Sequence, residues 1–176
     1  MQTICKRIAV FIGIMLLGFG VRISWASEEL IYNIQRMDKI VIDGKSDDWG
    51  KGGFRVDLLV PVDAEFKPAN DLDARMRLAW NDKGLLVLMF VQDNIWVEHD
   101  NEDMLWCYDS IEMFLAPEKG APDYCQWLIS PGMADNHPSV RWHLYDRRKD
   151  EAMKKLSAEL TVARTMIDKN SYMLEA

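Results

Sequence analysis

RMRLAWNDKGLLVLMFV, residues 75–91, sets the fold class. In its first half Met76, Leu78 and Trp80 alternate with other residues, and Arg75 and Arg77 fall on the opposite side. Successive side chains of a strand point to opposite faces, so this period of two reads as a strand with one apolar face. Asn81-Asp82-Lys83-Gly84 then carries a hairpin turn signal. Leu85 to Val91 is apolar throughout, which suits a central strand covered on both faces.

The same reading extends outward. Lys39 to Ile42 reads as a short strand ending at the turn pair Asp43-Gly44. Ser46-Asp47-Asp48 favours Asx-type turns, with Trp49 as a core plug. Phe54 to Val62 is a further strand stopped by Pro61, and Glu65 to Leu72, with Pro68, is a loop. Residues 110–117 and 124–130 form a hairpin with 117 near 124, which sets Cys125 opposite Ala116. Val140 to Tyr145 alternates as a strand, and Asp146 to Lys155 is a charged loop or short helix. Ala158 to Ile167 is a long strand, Asp168 to Ser171 a turn, and Tyr172 to Leu174 starts a last strand. Strands separated by turn signals, roughly every 10–20 residues, predict an all-β antiparallel sandwich. The chain stops at Glu175-Ala176, inside a strand, which would leave a raw edge. The domain therefore reads as lacking its last strands.

The first residues read as a secretory signal over 1–26. Lys6 and Arg7 precede the uncharged apolar run Ile8 to Val21, and Ser24-Trp25-Ala26 supplies a small-x-small cleavage site. The run falls short of the about 20 residues of a membrane span, although an uncleaved anchor stays open. The predicted compartment is the periplasm or the exterior. Residues 27–176 suffice for one domain. Losing Lys6, Arg7 and Arg22 takes the formal charge from −7 to −10. Such acidity argues against nucleic acid and anionic membranes and is compatible with neutral ligands or divalent cations. Cys107 and Cys125 invite a disulfide in an exported chain. The hairpin register separates them by on the order of 30 Å, so no disulfide is expected.

WCYDSIEMFL, residues 106–115, carries the functional signal. It sets Trp106, Asp109 and Glu112 around the start of one strand. A flat ring beside carboxylate acceptors suits a sugar, which offers an apolar C–H face and a rim of hydroxyls. The plainer alternative is a partly buried rim residue and a solvated glutamate. Asp109 and Glu112 lie three apart on a strand, hence on opposite faces. A glycosidase needs two carboxylates converging on one bond, so catalysis is not expected here. His99, His137 and His143 are too dispersed for a zinc motif.

IDGKSDDW, ARMRLAWNDKGLLVLMFVQDN, WCYDSIEMFLAP and SYMLEA, in that order from Ile42 to Ala176, resemble the family 9 carbohydrate-binding modules and their DOMON-like relatives. The resemblance implies a jelly-roll-like β-sandwich and non-catalytic sugar binding in exported bacterial proteins, often joined to O-glycosyl hydrolases. It implies that Trp106 forms one wall of a sugar slot, that Glu112 bonds hydroxyls, and that Asp109 is structural. Leu128 stands where the family commonly has an arginine, and the opposing aromatic wall is missing. Gln126 and Arg141, on neighbouring strands, are secondary contacts. The expected partner is a polysaccharide or oligosaccharide of glucan or xylan type.

Family members often bind calcium, a hard cation that takes six to eight oxygens. The acids on offer are Asp47, Asp48, Asp93, Asp100 and Asp103, with Asp100 and Asp103 beside Trp106 as the candidate ligands. Some DOMON-like relatives bind haem through Met or His, and the chain has eleven Met. Methionine at core-facing strand positions is ordinarily packing. An electron-transfer domain, or a structural cell-surface β domain without sugar binding, are the alternative readings.

Overall fold

The computed structural model describes residues 32–56, 68–118, 120–149, 151–154 and 159–176. The chain divides into the units Met1–Tyr32 and Asn33–Ala176, and every described strand belongs to the second. The signal read over 1–26 lies outside the described residues.

Strands β1 (Phe54–Val56), β2 (Leu72–Asn81) and β3 (Gly84–Asp93) come first. A 3-10 helix, Glu102–Cys107, precedes β4 (Ile111–Leu115), β5 (Cys125–Ser130) and β6 (Arg141–Asp146). A short helix α1 (Glu151–Lys154), β7 (Ala163–Asp168) and β8 (Ser171–Glu175) complete the order. The eight described strands form two antiparallel sheets, β1-β2-β3-β8-β7 and β4-β5-β6. This is the all-β sandwich that the alternation predicts.

Residues 75–91 lie at the centre of the larger sheet. Asn81 pairs with Gly84 across the Asp82-Lys83 turn. Val87, Met89 and Val91 join Ile129, Tyr172 and Leu174 in the core between the sheets, with Ile111 and Met113 of β4 packed against it. Leu86 and Leu88 point the other way, into a second core with Trp49 and Ala79, against which Met37, Ile40 and Ile42 pack. Continuous apolarity from Leu86 to Val91 thus reflects burial on both faces, while Leu85 at the strand's start is exposed.

Several expectations are corrected. Lys39 to Ile42 is not a strand: side-chain acceptors replace a ladder, the Val41 N–H donating to Asp48 Oδ2 at 2.7 Å. Leu72 belongs to β2 rather than to a loop, and β7 begins at Ala163 rather than 158. Positions 57–67 and 155–158, parts of the expected strands and loop there, lie outside the described residues. The hairpin pairs Leu115 with Cys125, one residue from the expected register. A slip of one exchanges the faces of every side chain, so Glu112 lies opposite Leu128. Cys107 is exposed and Cys125 buried, and no disulfide joins them. β8 is no raw edge: it lies between β3 and β7, and Ala176 exchanges hydrogen bonds of 2.8 and 2.9 Å with Val87.

One buried carboxylate ties the N-terminal segment to β8. Glu175 is fully buried. Its Oε2 accepts from the backbone N–H groups of Asp43, Gly44 and Lys45 at 2.8, 2.8 and 3.2 Å, and its Oε1 from Trp49 Nε1 at 2.6 Å. Four donors satisfy a group whose burial alone would be unfavourable. Gly44 has φ +81°, and an added Cβ would lie 2.8 Å from the backbone of Arg164, so the turn there requires glycine. IDGKSDDW and SYMLEA are therefore two halves of one structural contact.

Candidate carbohydrate-binding face

The β4-β5-β6 sheet has two faces of different chemistry. Ile111, Met113, Trp127 and Ile129 point toward the other sheet and line the core or the cleft beside it. The alternate positions form cross-strand rows on the outer face. Glu112, Leu128 and His143 make one row, and Phe114, Gln126 and Tyr145 the next. Glu112 Oε2 accepts from Gln126 Nε2 at 3.0 Å, linking the two rows. Leu128 is fully buried. The 3-10 helix packs against β5 and β6 there, with its own Leu105 only 1% exposed.

Trp106 belongs to that helix and not to a strand. Asn101 caps it, its side chain accepting from the Asp103 N–H at 3.0 Å, and Glu102 and Asp103 occupy the first turn as the helix dipole favours. The half-buried indole donates from Nε1 to the Asp103 carbonyl at 3.2 Å. The Tyr145 hydroxyl donates to the same oxygen at 2.5 Å. That shared acceptor brings Trp106 beside Tyr145, whose row holds Gln126, which in turn holds Glu112. Trp106 is thus tied to Tyr145, and Tyr145 pairs with Gln126, the partner of Glu112.

The loop before the helix is firmly anchored. Asp109 Oδ2 accepts from the Val97 N–H at 2.6 Å, and its own N–H donates to the Val97 carbonyl at 2.9 Å. Burial pushes the Asp109 carboxyl up to about 6. The carboxylate of buried Glu98 accepts from the Met133 N–H at 2.6 Å and from the Ser130 hydroxyl. Arg141 donates to the carbonyls of His99 and Asp100 at 2.8 and 3.3 Å and lies 3.5 Å from Glu98. Its guanidinium is committed to this loop rather than to the open face. Asp109 and Glu112 hold different partners, the Val97 backbone and Gln126.

Asp100 and Asp103, the candidate calcium ligands, each lie against a histidine. Asp100 faces His137 at 2.6 Å and Asn136 at 3.2 Å, and Asp103 faces His143 at 3.3 Å. Hydrogen bonding to His137 lowers the Asp100 carboxyl below its ordinary range. Among the described residues no three His, Cys, Asp or Glu side chains converge as a metal would need. Six of the eleven methionines (Met37, Met76, Met89, Met113, Met133 and Met173) pack in the two cores. The residues that sequence reasoning left out of the face are Phe114, Tyr124, His143 and Tyr145. The alternation of β6 held the signal for two of them, since residues two apart from Arg141 onward share its side.

No curated protein and no solved structure matches the chain. Residues 42–176 do match a family model, the one described as carbohydrate family 9 binding domain-like. The match runs from the IDGKSDDW turn through the hairpin and the Trp106–Glu112 segment to the last residue of β8 and beyond it to Ala176. The chain belongs to the carbohydrate family 9 binding domain-like family.

Proposed function

We propose that the outer face of the β4-β5-β6 sheet binds glucan- or xylan-type polysaccharide without cleaving it, in an exported protein of polysaccharide breakdown. The observation that supports this best is the Gln126–Glu112 pair on the outer face of a family 9-like domain, with Trp106 sharing an acceptor with Tyr145 beside it. The indole stacks on the C–H face of a sugar ring. Among the described residues Glu112 Oε1 and the Gln126 amide oxygen have no protein donor, and both accept from sugar hydroxyls. A hydrogen bond to the carboxylate contributes about 1.5–3 kcal/mol. One aromatic wall leaves the ring half solvated, so dissociation constants of about a millimolar are expected. The basic and apolar N-terminal stretch supports export.

The test is calorimetric titration with cello- and xylo-oligosaccharides. Wild type binds one of them, while Trp106→Ala and Glu112→Ala lose the heat and keep the wild-type urea midpoint. Absence of binding to every glucan and xylan, or undiminished binding by Trp106→Ala, sinks the proposal.

A further inference from the structure

The outer face continues beyond Gln126 and Tyr145. The Arg147 N–H donates to the Tyr124 carbonyl at 2.9 Å, which carries the β5–β6 pairing one step past β6. Tyr124 and Arg147 therefore form the next row on the same side. The Arg147 guanidinium lies 5.5 Å over the Tyr145 ring, and the Phe114 ring, 61% exposed, meets Tyr124 at 6.1 Å. This row opens into a hollow of about 420 Å³ lined by Pro122, Tyr124, Asp146, Arg147, Arg148 and Lys149.

The charges in the hollow do not cancel. Arg148 grips Asp146 through bonds of 2.8 and 2.7 Å, and that pair is neutral. The Asp123 carboxylate accepts from the Lys149 backbone N–H. The Arg147 guanidinium and the Lys149 ammonium are exposed, and among the described residues neither has an ion-pair partner. A chain of formal charge −7 thus gathers, at one end of this face, two cations with no ion-pair partner among the described residues. Long-range attraction there favours an anionic ligand.

We propose that this hollow takes an acidic sugar unit, with the carboxylate of a uronic acid meeting Arg147 and Lys149. The inference rests on the carbohydrate reading of the face. A guanidinium presents two parallel N–H donors that match a carboxylate, and Lys149 adds a mobile point charge. Tyr124 and Tyr145 offer ring faces beside them. His143 and Arg147 lie four residues apart along one strand edge, on the order of 13 Å, about the span of two to three linked sugar rings. One glycan chain reaches both Glu112 and Arg147.

The test compares a neutral xylo-oligosaccharide with the same oligosaccharide carrying a glucuronic acid branch. Each is titrated at low and high salt into wild type and the double variant Arg147→Gln/Lys149→Gln. Wild type binds the acidic sugar about tenfold more tightly at low salt, and high salt shrinks the advantage. The double variant loses the advantage and keeps its affinity for the neutral sugar. Equal affinity of wild type for both sugars overturns the inference and leaves the carbohydrate reading standing. So does an acidic advantage that survives in the double variant. Failure to bind either sugar overturns the carbohydrate reading and this inference with it.

Discussion

Replacing Glu175 by Gln tests what joins the N-terminal segment to β8. The change keeps the side chain's shape and swaps one acceptor oxygen for an NH2 group. Both oxygens face donors: Oε1 faces Trp49 Nε1, and Oε2 faces three backbone N–H groups. Turned toward residues 43–45, the NH2 would oppose three donors. Turned toward Trp49, it opposes one, so that orientation is favoured. It forfeits a charge-assisted bond of about 1.5–3 kcal/mol and leaves a buried donor unsatisfied at about 1–3 kcal/mol, a loss of about 3–5 kcal/mol in all. In a Trp49→Phe background the opposing donor is absent, and the amide oxygen still serves residues 43–45. There the Glu175→Gln step should cost about 1–2 kcal/mol, a coupling within the range typical of contacting residues. Urea unfolding followed by far-UV circular dichroism, at constant m-value, measures all four forms. Additive losses, or a Glu175→Gln midpoint equal to wild type, would refute the reasoning.

Asp109→Asn keeps an acceptor for the Val97 N–H and removes an ionisation that burial has moved from 3.8 up to about 6. The folded state holds this proton more tightly than the unfolded chain, so the group's stabilising contribution is complete below pH 3.8 and is lost as pH rises through 6. The variant should gain on wild type across that window by on the order of 1–2 kcal/mol, discounted for partial exposure. A difference that stays flat with pH in urea titrations counts against this. Gly44→Ala meets both a φ of +81° and backbone 2.8 Å away, and should lose about 2–4 kcal/mol. Gly50→Ala, at φ +46° in open space, should lose about 1 kcal/mol, and equal midpoints for the two would contradict the contact argument. Under native conditions a thiol reagent should label Cys107 quickly and Cys125 only on unfolding, since Cys125 is buried and burial raises its thiol. Rapid labelling of both would place Cys125 wrongly.

Patterning carried the sandwich because burial on one or both faces writes itself directly into a strand. Met76 and Leu78 show the one-sided case and Leu86 to Val91 the two-sided case. It failed where side chains replace the ladder. Lys39 to Ile42 has strand-like composition, yet Asp48 and Glu175 satisfy its neighbourhood instead. Register was lost by one residue because the hairpin connection between Leu115 and Cys125 has no two-residue turn to fix it. For the face, Trp106, Glu112 and Gln126 were legible as types. The link from Trp106 to Tyr145 was not, because it runs through the carbonyl of Asp103, which leaves no mark in side-chain composition. The Asn101 cap did leave a mark, an Asn ahead of two acids, which is a helix start.

The position of the proposed binding face follows from which surfaces the fold has already used. The larger sheet is covered on one side by β4-β5-β6 and on the other by Trp49, Met37, Ile40 and Ile42. The outer side of the smaller sheet is left, and the 3-10 helix covers only part of it, at Leu128. An arginine at that position would have kept the surface polar and forced the helix aside, because its charge could not be buried without a partner. Leucine is compatible with the buried Leu105 of a helix that packs on β5 and β6. Leu128 thus leaves this part of the sheet apolar, under the helix that carries Trp106. The polar groups of the outer face then lie further along the sheet, at Gln126, Tyr145 and the cations beyond them.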